Sequence, residues 1–224
     1  MSNAPLGPGP NTKVRRLREK ARYESDVIFS ILDQARYCHV AGIVDGLAMA
    51  LPTLHAREGS TLYLHGSQSN AIMKSVLESE RACVTATLYE GIRLARSGFE
   101  SSIAYRSVVV VGSVMIIDDL EEKRRILDLF VDAVLPGRAS EVRAANEQEL
   151  RLTMVVAIAI DEASAKISEG PTDDADVDLA LPIWSGTVPA RLQFLAPIAS
   201  VDGAMANGDV PIPRSVRQLL QSER

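Results

Sequence analysis

The side chains of this sequence that could do chemistry fall into two short clusters and three scattered histidines. In TLYLHGSQSN (61–70) a strand-like alternation runs into His65-Gly66-Ser67, and small polar residues then lead into a helical stretch. A phosphate seat needs backbone N–H donors, hydroxyls, positive charge and room for close approach. His65, Gly66, Ser67, Ser69 and Asn70 supply donors and a permissive glycine, and Lys74 lies about one turn inside the helix that follows. The same residues also suit a plain turn, because Gly, Ser and Asn are common turn formers. The second cluster, Tyr105-Arg106-Ser107, enters the most apolar strand candidate of the chain. A guanidinium clamps phosphate or carboxylate with paired hydrogen bonds, and the adjacent hydroxyl adds a donor. The alternative for Arg106 is a strand-entry arginine paired with an acidic neighbour.

The histidines are His39, His55 and His65, and no two of them have the local spacing of metal ligands. Alternation groups His39 with Tyr37 and Ala41 on one strand face, and His65 with Tyr63 opposite Leu62 and Leu64. No Ser-His-Asp signature or nucleophile elbow is present, and the carboxylates over 118–132 read as the solvent face of a helix. Zinc and hydrolytic chemistry have little support.

The elements that must position these groups are those of an ordinary globular chain. With 224 residues, 46% of them hydrophobic and 24% charged, it can bury a sizeable core. The net charge of −5 disfavours nucleic acid as a partner, and the one basic run, KVRRLREKAR (13–22), reads as a solvated helix or arm. No apolar stretch approaches the ~18–20 residues that span a bilayer. Residues 1–12 read as a disordered lead without a signal-peptide core, 13–190 as the folded domain and 191–224 as a tail. Cys38 and Cys83 form no framework and read as buried thiols in a reducing cytoplasm.

Hydrophobic spacing predicts a helix over 23–35, capped by Ser25 or Asp26, then strands over 37–44, 47–56 and 61–66. A helix over 70–80 is followed by strands over 82–95 and 105–118, with Gly91 and Gly112 as bends or bulges. The clearest helix covers 118–135, with an Asp118/Glu121 cap signal. A shorter helix over 140–150 precedes a strand over 153–167, and PTDDADVD (171–178) reads as a solvated loop. This order predicts a mostly β, antiparallel core with peripheral helices, closed as a small barrel, and not a parallel doubly wound sheet.

The two clusters, together with ILDQARYCHVA (31–41), ALPTLHAREGSTLYLHGS (50–67), IRLARS (92–97), LPGR (135–138), SAKISEGP (164–171) and LPIWSGTVP (181–189), occur in a specific order. In these the chain resembles the flavin-nucleotide-binding proteins related to pyridoxamine 5′-phosphate oxidase, the group that includes 5-nitroimidazole-resistance proteins. The resemblance covers about residues 13–190. It implies an FMN-binding split β-barrel working as a homodimer, with flavin at the subunit interface. It places the phosphate between Ser67 and Lys74, and Leu51, Pro52 and Thr53 beside the ring. Thr85 and Thr87 would lie on a neighbouring strand, and Tyr105, Arg106 and Ser107 would reach the flavin from another strand or the partner. Trp184 is a cap for the ring or an ordinary interface tryptophan. The resemblance implies a basic residue, usual in similar proteins, near position 71, where this chain has Ala71, so Lys74 or Arg57 is left to supply that charge. The oxidase's arginine-rich C-terminal signature has no counterpart in IPRSVRQLLQSER (212–224), which speaks against vitamin B6 oxidation. The functions implied are an FMN-dependent oxidoreductase acting on a small electron acceptor, a flavin- or haem-binding carrier or sensor, or a dimer that has lost its cofactor.

Overall fold

Alternation and turn chemistry build the sheet from hairpins. Strand β2 (Cys38–Val44) returns as β3 (Leu47–Thr53) through Asp45-Gly46, whose φ values of 51° and 79° are those of the turn that suits two-residue hairpin loops. The computed structural model describes residues 5–202 and 210–222. The short β1 (Ala21–Arg22) and helix α1 (Ser25–Gln34) precede that hairpin, and β4 (Ala56–Glu58) and β5 (Thr61–Ser67) follow it. Helix α2 (Ala71–Glu78) leads into the long pair β6 (Arg81–Leu94) and β7 (Ser102–Ile116). Then come α3 (Leu120–Val134), α4 (Glu147–Leu152), β8 (Thr153–Ala159), β9 (Glu162–Ser168), β10 (Gly186–Pro189) and α5 (Arg214–Ser222).

The strands are antiparallel and run β3-β2-β6-β7-β8-β5-β4, with β9 on β7, β1 on β9 and β10 on β6. The fold is the expected split barrel, with a ladder that is not closed. Strand β7 is shared between the two halves: residues 105–111 pair with β9 and 114–116 with β8. Gly112 stands at that crossover, and a Cβ there would lie 1.6 Å from the Ala159 carbonyl oxygen. It is a point of close approach, with no register shift against β6; the bulge falls at Tyr89/Gly91. The predicted single strand over 153–167 is two strands, because the Asp161 carboxylate takes the Ser113 N–H at 2.8 Å and turns the chain between them.

The main core packs Ile28, Ile31 and Leu32 of α1 against Val40, Val84, Val108, Val110, Val156 and Ile158. Each such side chain, fully buried, contributes roughly 1.5–3 kcal/mol. A second cluster seats Ile126 and Phe130 of α3 on Tyr63, Val155 and Ala157. Helix α3 is capped one residue later than the sequence suggests, by Asp119 accepting from the Glu122 N–H. Neither Ser25 nor Asp26 caps α1; its N-cap position is Glu24, without a side-chain bond. The predicted helix over 140–150 is a single turn at Ala139–Glu141 followed by α4, which Asn146 and Glu149 hold in a capping box.

Two expectations change at the chain's margins. Residues 1–4 of the expected disordered lead lie outside the described residues, but 5–12 are packed. Leu6 bonds the Tyr23 and Ala163 backbones, and the buried Glu162 accepts from Asn11 and Thr12. The acidic loop is not simply solvated: Asp174 accepts from the Arg96 backbone and guanidinium, and Asp173 faces Lys20 and Arg93. It straps down Arg93 of β6 and Arg96 just beyond it, beside their bonds to the Ser168 and Ser185 hydroxyls. Beyond β10, residues 190–202 form an arm without regular secondary structure, and α5 docks through the buried Ser215 onto Glu141.

Candidate functional site

Register places the polar candidates on two separate surfaces. On the outer face of the larger half-sheet, one row crosses Pro52, His39, Thr85, Val109 and Ser164, and the next crosses Thr87, Ser107 and Lys166. Tyr89 and Tyr105 continue it. The Tyr37 ring meets His39 edge-on at 5.7 Å, so it belongs to this face as well. Tyr37, Ile43 and Tyr89 are more than half exposed there, and Ala41 opposite Ala50 leaves the surface flat between them. This is an apolar sheet face studded with hydroxyls, one imidazole and one ammonium. Thr85 already donates its hydroxyl to the Val108 carbonyl at 2.8 Å.

The β5–α2 junction forms the second surface. Gly66 faces α2, where a Cβ would meet the Met73 sulfur at 2.8 Å and the Asn70 amide at 3.3 Å. Asn70 caps the helix by accepting from Met73 N–H at 3.1 Å, and the Ser67 and Ser69 hydroxyls pair at 2.9 Å. Lys74 is exposed on the helix's first turn. His65 does not join them. It points from the opposite face of β5 into α3, with its ring 4.3 Å from that of Phe130 and its Nδ1 buried without a partner. Burial pushes its pKa below the usual histidine value.

Strand alternation also divides Tyr105-Arg106-Ser107. Tyr105 and Ser107 lie on the outer face, while Arg106 turns inward to Glu90 at 2.6 Å and to Gln34 of α1 at 3.1 Å. Leu51 and Thr53 alternate with Pro52 and point away from the outer face, Leu51 against the core. Trp184 is exposed, its ring lying over Gly186. The outer face thus gathers Pro52, Thr85, Thr87, Tyr105 and Ser107; the junction gathers Gly66, Ser67, Asn70 and Lys74.

The sequence left one feature unassembled. A crevice of about 310 Å3 opens between α1, the β3–β4 connection and α3, walled by Leu32, Ala35, Leu54, Leu129, Val134 and Pro136. His55 lines it, 7% exposed, with Nε2 2.8 Å from the Leu32 carbonyl and Nδ1 buried without a partner. Burial lowers its pKa, against weaker opposing effects of that carbonyl and Asp33. Arg57 is held bidentately by Asp33, whereas Arg36 donates, among the described residues, to the Val134 carbonyl alone and lies 5.2 Å over the Phe194 ring of the arm. His55 stands between two strands, where alternation says nothing about its direction. Among the described residues no cluster of metal-ligating side chains forms, and no helix is long and apolar enough to cross a membrane.

The model of the family described as pyridoxamine 5′-phosphate oxidase matches residues 24–167, all of the sheet but β1, part of β9 and β10. The chain belongs to the pyridoxamine 5′-phosphate oxidase family. Among solved structures it is similar to the flavocytochrome Anf3 of Azotobacter vinelandii, at 33% identity and a TM-score of 0.88, covering 98% of this chain and 99% of that one. It is also similar to an FAD and heme binding protein of Mycobacterium smegmatis, at 37% identity and a TM-score of 0.83, over 89% and 97% of the two chains. A candidate 5-nitroimidazole antibiotic resistance protein of Bacteroides thetaiotaomicron shares the fold at 24% identity and a TM-score of 0.56, but covers 66% of this chain and 86% of its own. No curated protein matches. The first of these likenesses covers 98% of the chain, the barrel and the arm alike.

Proposed function

We propose that this member of the pyridoxamine 5′-phosphate oxidase family is a flavin- and haem-binding redox protein that works as a cytoplasmic homodimer and passes electrons to a small acceptor. One observation carries the reading: two proteins named for these cofactors match the chain at 33% and 37% identity over nearly its whole length. The side chains present fit a flavin. For a flavin, the outer face offers the Thr87 and Ser107 hydroxyls, the Lys166 ammonium and a flat alanine floor for a planar ring. For a haem the fit is poor: the α1–α3 crevice mixes Leu54, Leu129 and Pro136 with Asp33, Arg57 and Asp132, and the unpartnered His55 nitrogen is buried, so the haem half of the reading rests on the two relatives alone. When bound, the flavin accepts hydride or single electrons and the haem iron single electrons; the protein binds and orients the groups. The exposed Tyr37, Ile43 and Tyr89 support a second copy covering this face, since contiguous apolar patches commonly mark interaction sites.

The resemblance implies FMN, while the M. smegmatis relative is named for FAD and is 37% identical to this chain, so FAD is the expected nucleotide. A carrier or sensor without turnover is the second reading, favoured by Ala71 at the place where the family resemblance implies a cation. Freshly purified protein should absorb near ~450 nm from flavin and near ~400 nm from haem. Mass spectrometry of the released flavin then separates FAD from FMN. Anaerobic NAD(P)H should bleach the flavin and reduce the haem. A colourless preparation that takes up neither cofactor overturns the proposal, and bound cofactors that exchange electrons with no donor or acceptor leave the carrier reading.

A further inference from the structure

The basic run KVRRLREKAR (13–22) is not the solvated helix or arm that its composition suggests; it is a loop fastened at both ends. At its start the buried Thr12 donates to Glu162, the Lys13 N–H to the Gly9 carbonyl at 3.1 Å and the Val14 N–H to the Tyr23 hydroxyl at 3.0 Å. At its end Ala21 and Arg22 form β1 and pair with Lys166 and Ala165 of β9. Between these anchors Lys13, Arg15, Arg16 and Arg18 are exposed. Among the described residues none of the four has a carboxylate within ion-pair distance. Neither has Arg22, which donates to the Glu19 and Ala21 carbonyls at 2.8 Å. Only Lys20 faces an acid, Asp173 at 3.9 Å. Six cations and one acid thus stand together on a chain whose net charge is −5, and the negative excess lies on the rest of it.

The middle of the loop holds a strained residue. Leu17 has φ 55° and ψ 56°, the left-handed conformation that a bulky side chain rarely adopts. Such outliers persist only where the surrounding structure fixes them, and they cluster at functional sites. This one presents a leucine, 43% exposed, between Arg16 and Arg18 of the chain. An apolar centre with an arginine-rich rim is the composition of a protein-docking patch. Register fixes where the patch lies. The loop leads directly into β1, and Ala21 is the Cα partner of Lys166, whose ammonium belongs to the outer face proposed for the flavin. A partner seated on the loop therefore stands at the edge of that face. Charge selects among anionic partners. A nucleic-acid duplex or a lipid surface is broad and would set its charge against the acidic remainder of the chain, whereas a small acidic protein matches a patch of ten residues. Electron-transfer encounters use just such small interfaces, steered by complementary charge.

We infer that the loop over 13–22 is the docking surface for an acidic one-electron carrier protein that supplies the electrons for the flavin. This rests on the redox reading proposed above and names the source of its electrons. Each docked carrier gives up one electron and leaves oxidised; two such encounters, with two protons from solvent, reduce the flavin. The test uses the full chain with its flavin and two probes, an acidic [2Fe–2S] ferredoxin and an acidic [4Fe–4S] ferredoxin. Association of the oxidised, fluorescently labelled carrier is one readout, and stopped-flow bleaching of the flavin by the reduced carrier is the other. For wild type both should be fastest at ~0.01 M salt and fall steeply by ~0.15 M, as the Debye length shrinks from about 30 Å to about 8 Å. The triple variant Arg15→Glu, Arg16→Glu, Arg18→Glu should slow both at least about tenfold at low salt, while photoreduction by a small neutral deazaflavin keeps the wild-type rate. Leu17→Asn, which suits left-handed backbone, should weaken association about threefold or more without lowering the melting temperature. Equal rates in wild type and the triple variant with both carriers, or an equal loss from Arg143→Glu, Arg151→Glu at α4, overturns the docking surface while the flavin reading stands. A duplex oligonucleotide or phosphatidylserine vesicles held more tightly than either carrier through the same arginines overturns the choice of partner. A colourless protein that takes up no flavin overturns the redox reading itself, whatever the loop binds.

Discussion

At the scale of single residues, Arg106 shows how a neighbour in sequence differs from a neighbour in space. Alternation alone separates it from Tyr105 and Ser107, but grouping the three by resemblance hides that period of two. Its bonds to Glu90 and Gln34 tie β7 to β6 and α1, and both partners of the ion pair are about a quarter to a third exposed. Arg106→Ala is therefore expected to lower stability by about 1–2 kcal/mol, read by denaturant melting, and to leave flavin retention within about twofold of wild type. Lost flavin with unchanged melting would contradict that geometry. The histidines give a second expectation. His55 and His65 have pKa values lowered by burial, so the unfolded chain binds protons more readily below its ordinary value of 6.5. Their contribution is fully present above that pH and declines as the pH falls through it toward the lower folded values. The melting temperature of the cofactor-free protein should fall from pH 7 to pH 5, and the double variant His55→Gln, His65→Gln should flatten that slope.

At the scale of elements, the sequence was most readable where one period held. The β2–β3 hairpin, β5, β6, β7 and the apolar stripe of α3 fall close to where spacing places them. It was least readable where a tertiary contact breaks a run. Nothing local in residues 153–167 marks the division into β8 and β9, because Asp161 reaches across to Ser113 from another strand. Nor does PTDDADVD reveal that its carboxylates meet Arg93 and Arg96 some eighty residues away. Gly112→Ala should cost about 3 kcal/mol or more, since backbone must move to admit the methyl. Gly91 has φ +145°, and a Cβ there would lie 2.4 Å from the Val188 carbonyl. Gly91→Ala should detach β10 while sparing the barrel, seen as faster proteolysis within 170–200 with little change in the main melting transition. Uniform destabilisation instead would mean that β10 is integral to the core.

At the scale of the whole molecule, the open sheet face is the feature no single segment predicts. Each strand shows only its own alternation, and the flat apolar surface exists because register aligns five of them. If a second copy covers it, Ile43→Glu should convert a dimer to a monomer in light scattering, and flavin should be lost in parallel. The cysteines report the same event. Cys38 is buried, its thiol pushed up to about 12, and should resist alkylation at pH 8 in any assembly. Cys83 is exposed, not buried as its residue type suggests, because register with Ala41 puts it on the open face; it should react in the Ile43→Glu variant yet be protected in wild type. The order of elements along the chain has a further consequence, in the time of synthesis. Every strand from β1 to β9 is made by residue 168, whereas the arm that lays Phe194 over Arg36 emerges later. A ribosome-bound chain can therefore complete its barrel, and present an open crevice, before the segment that crosses the crevice has left the ribosome.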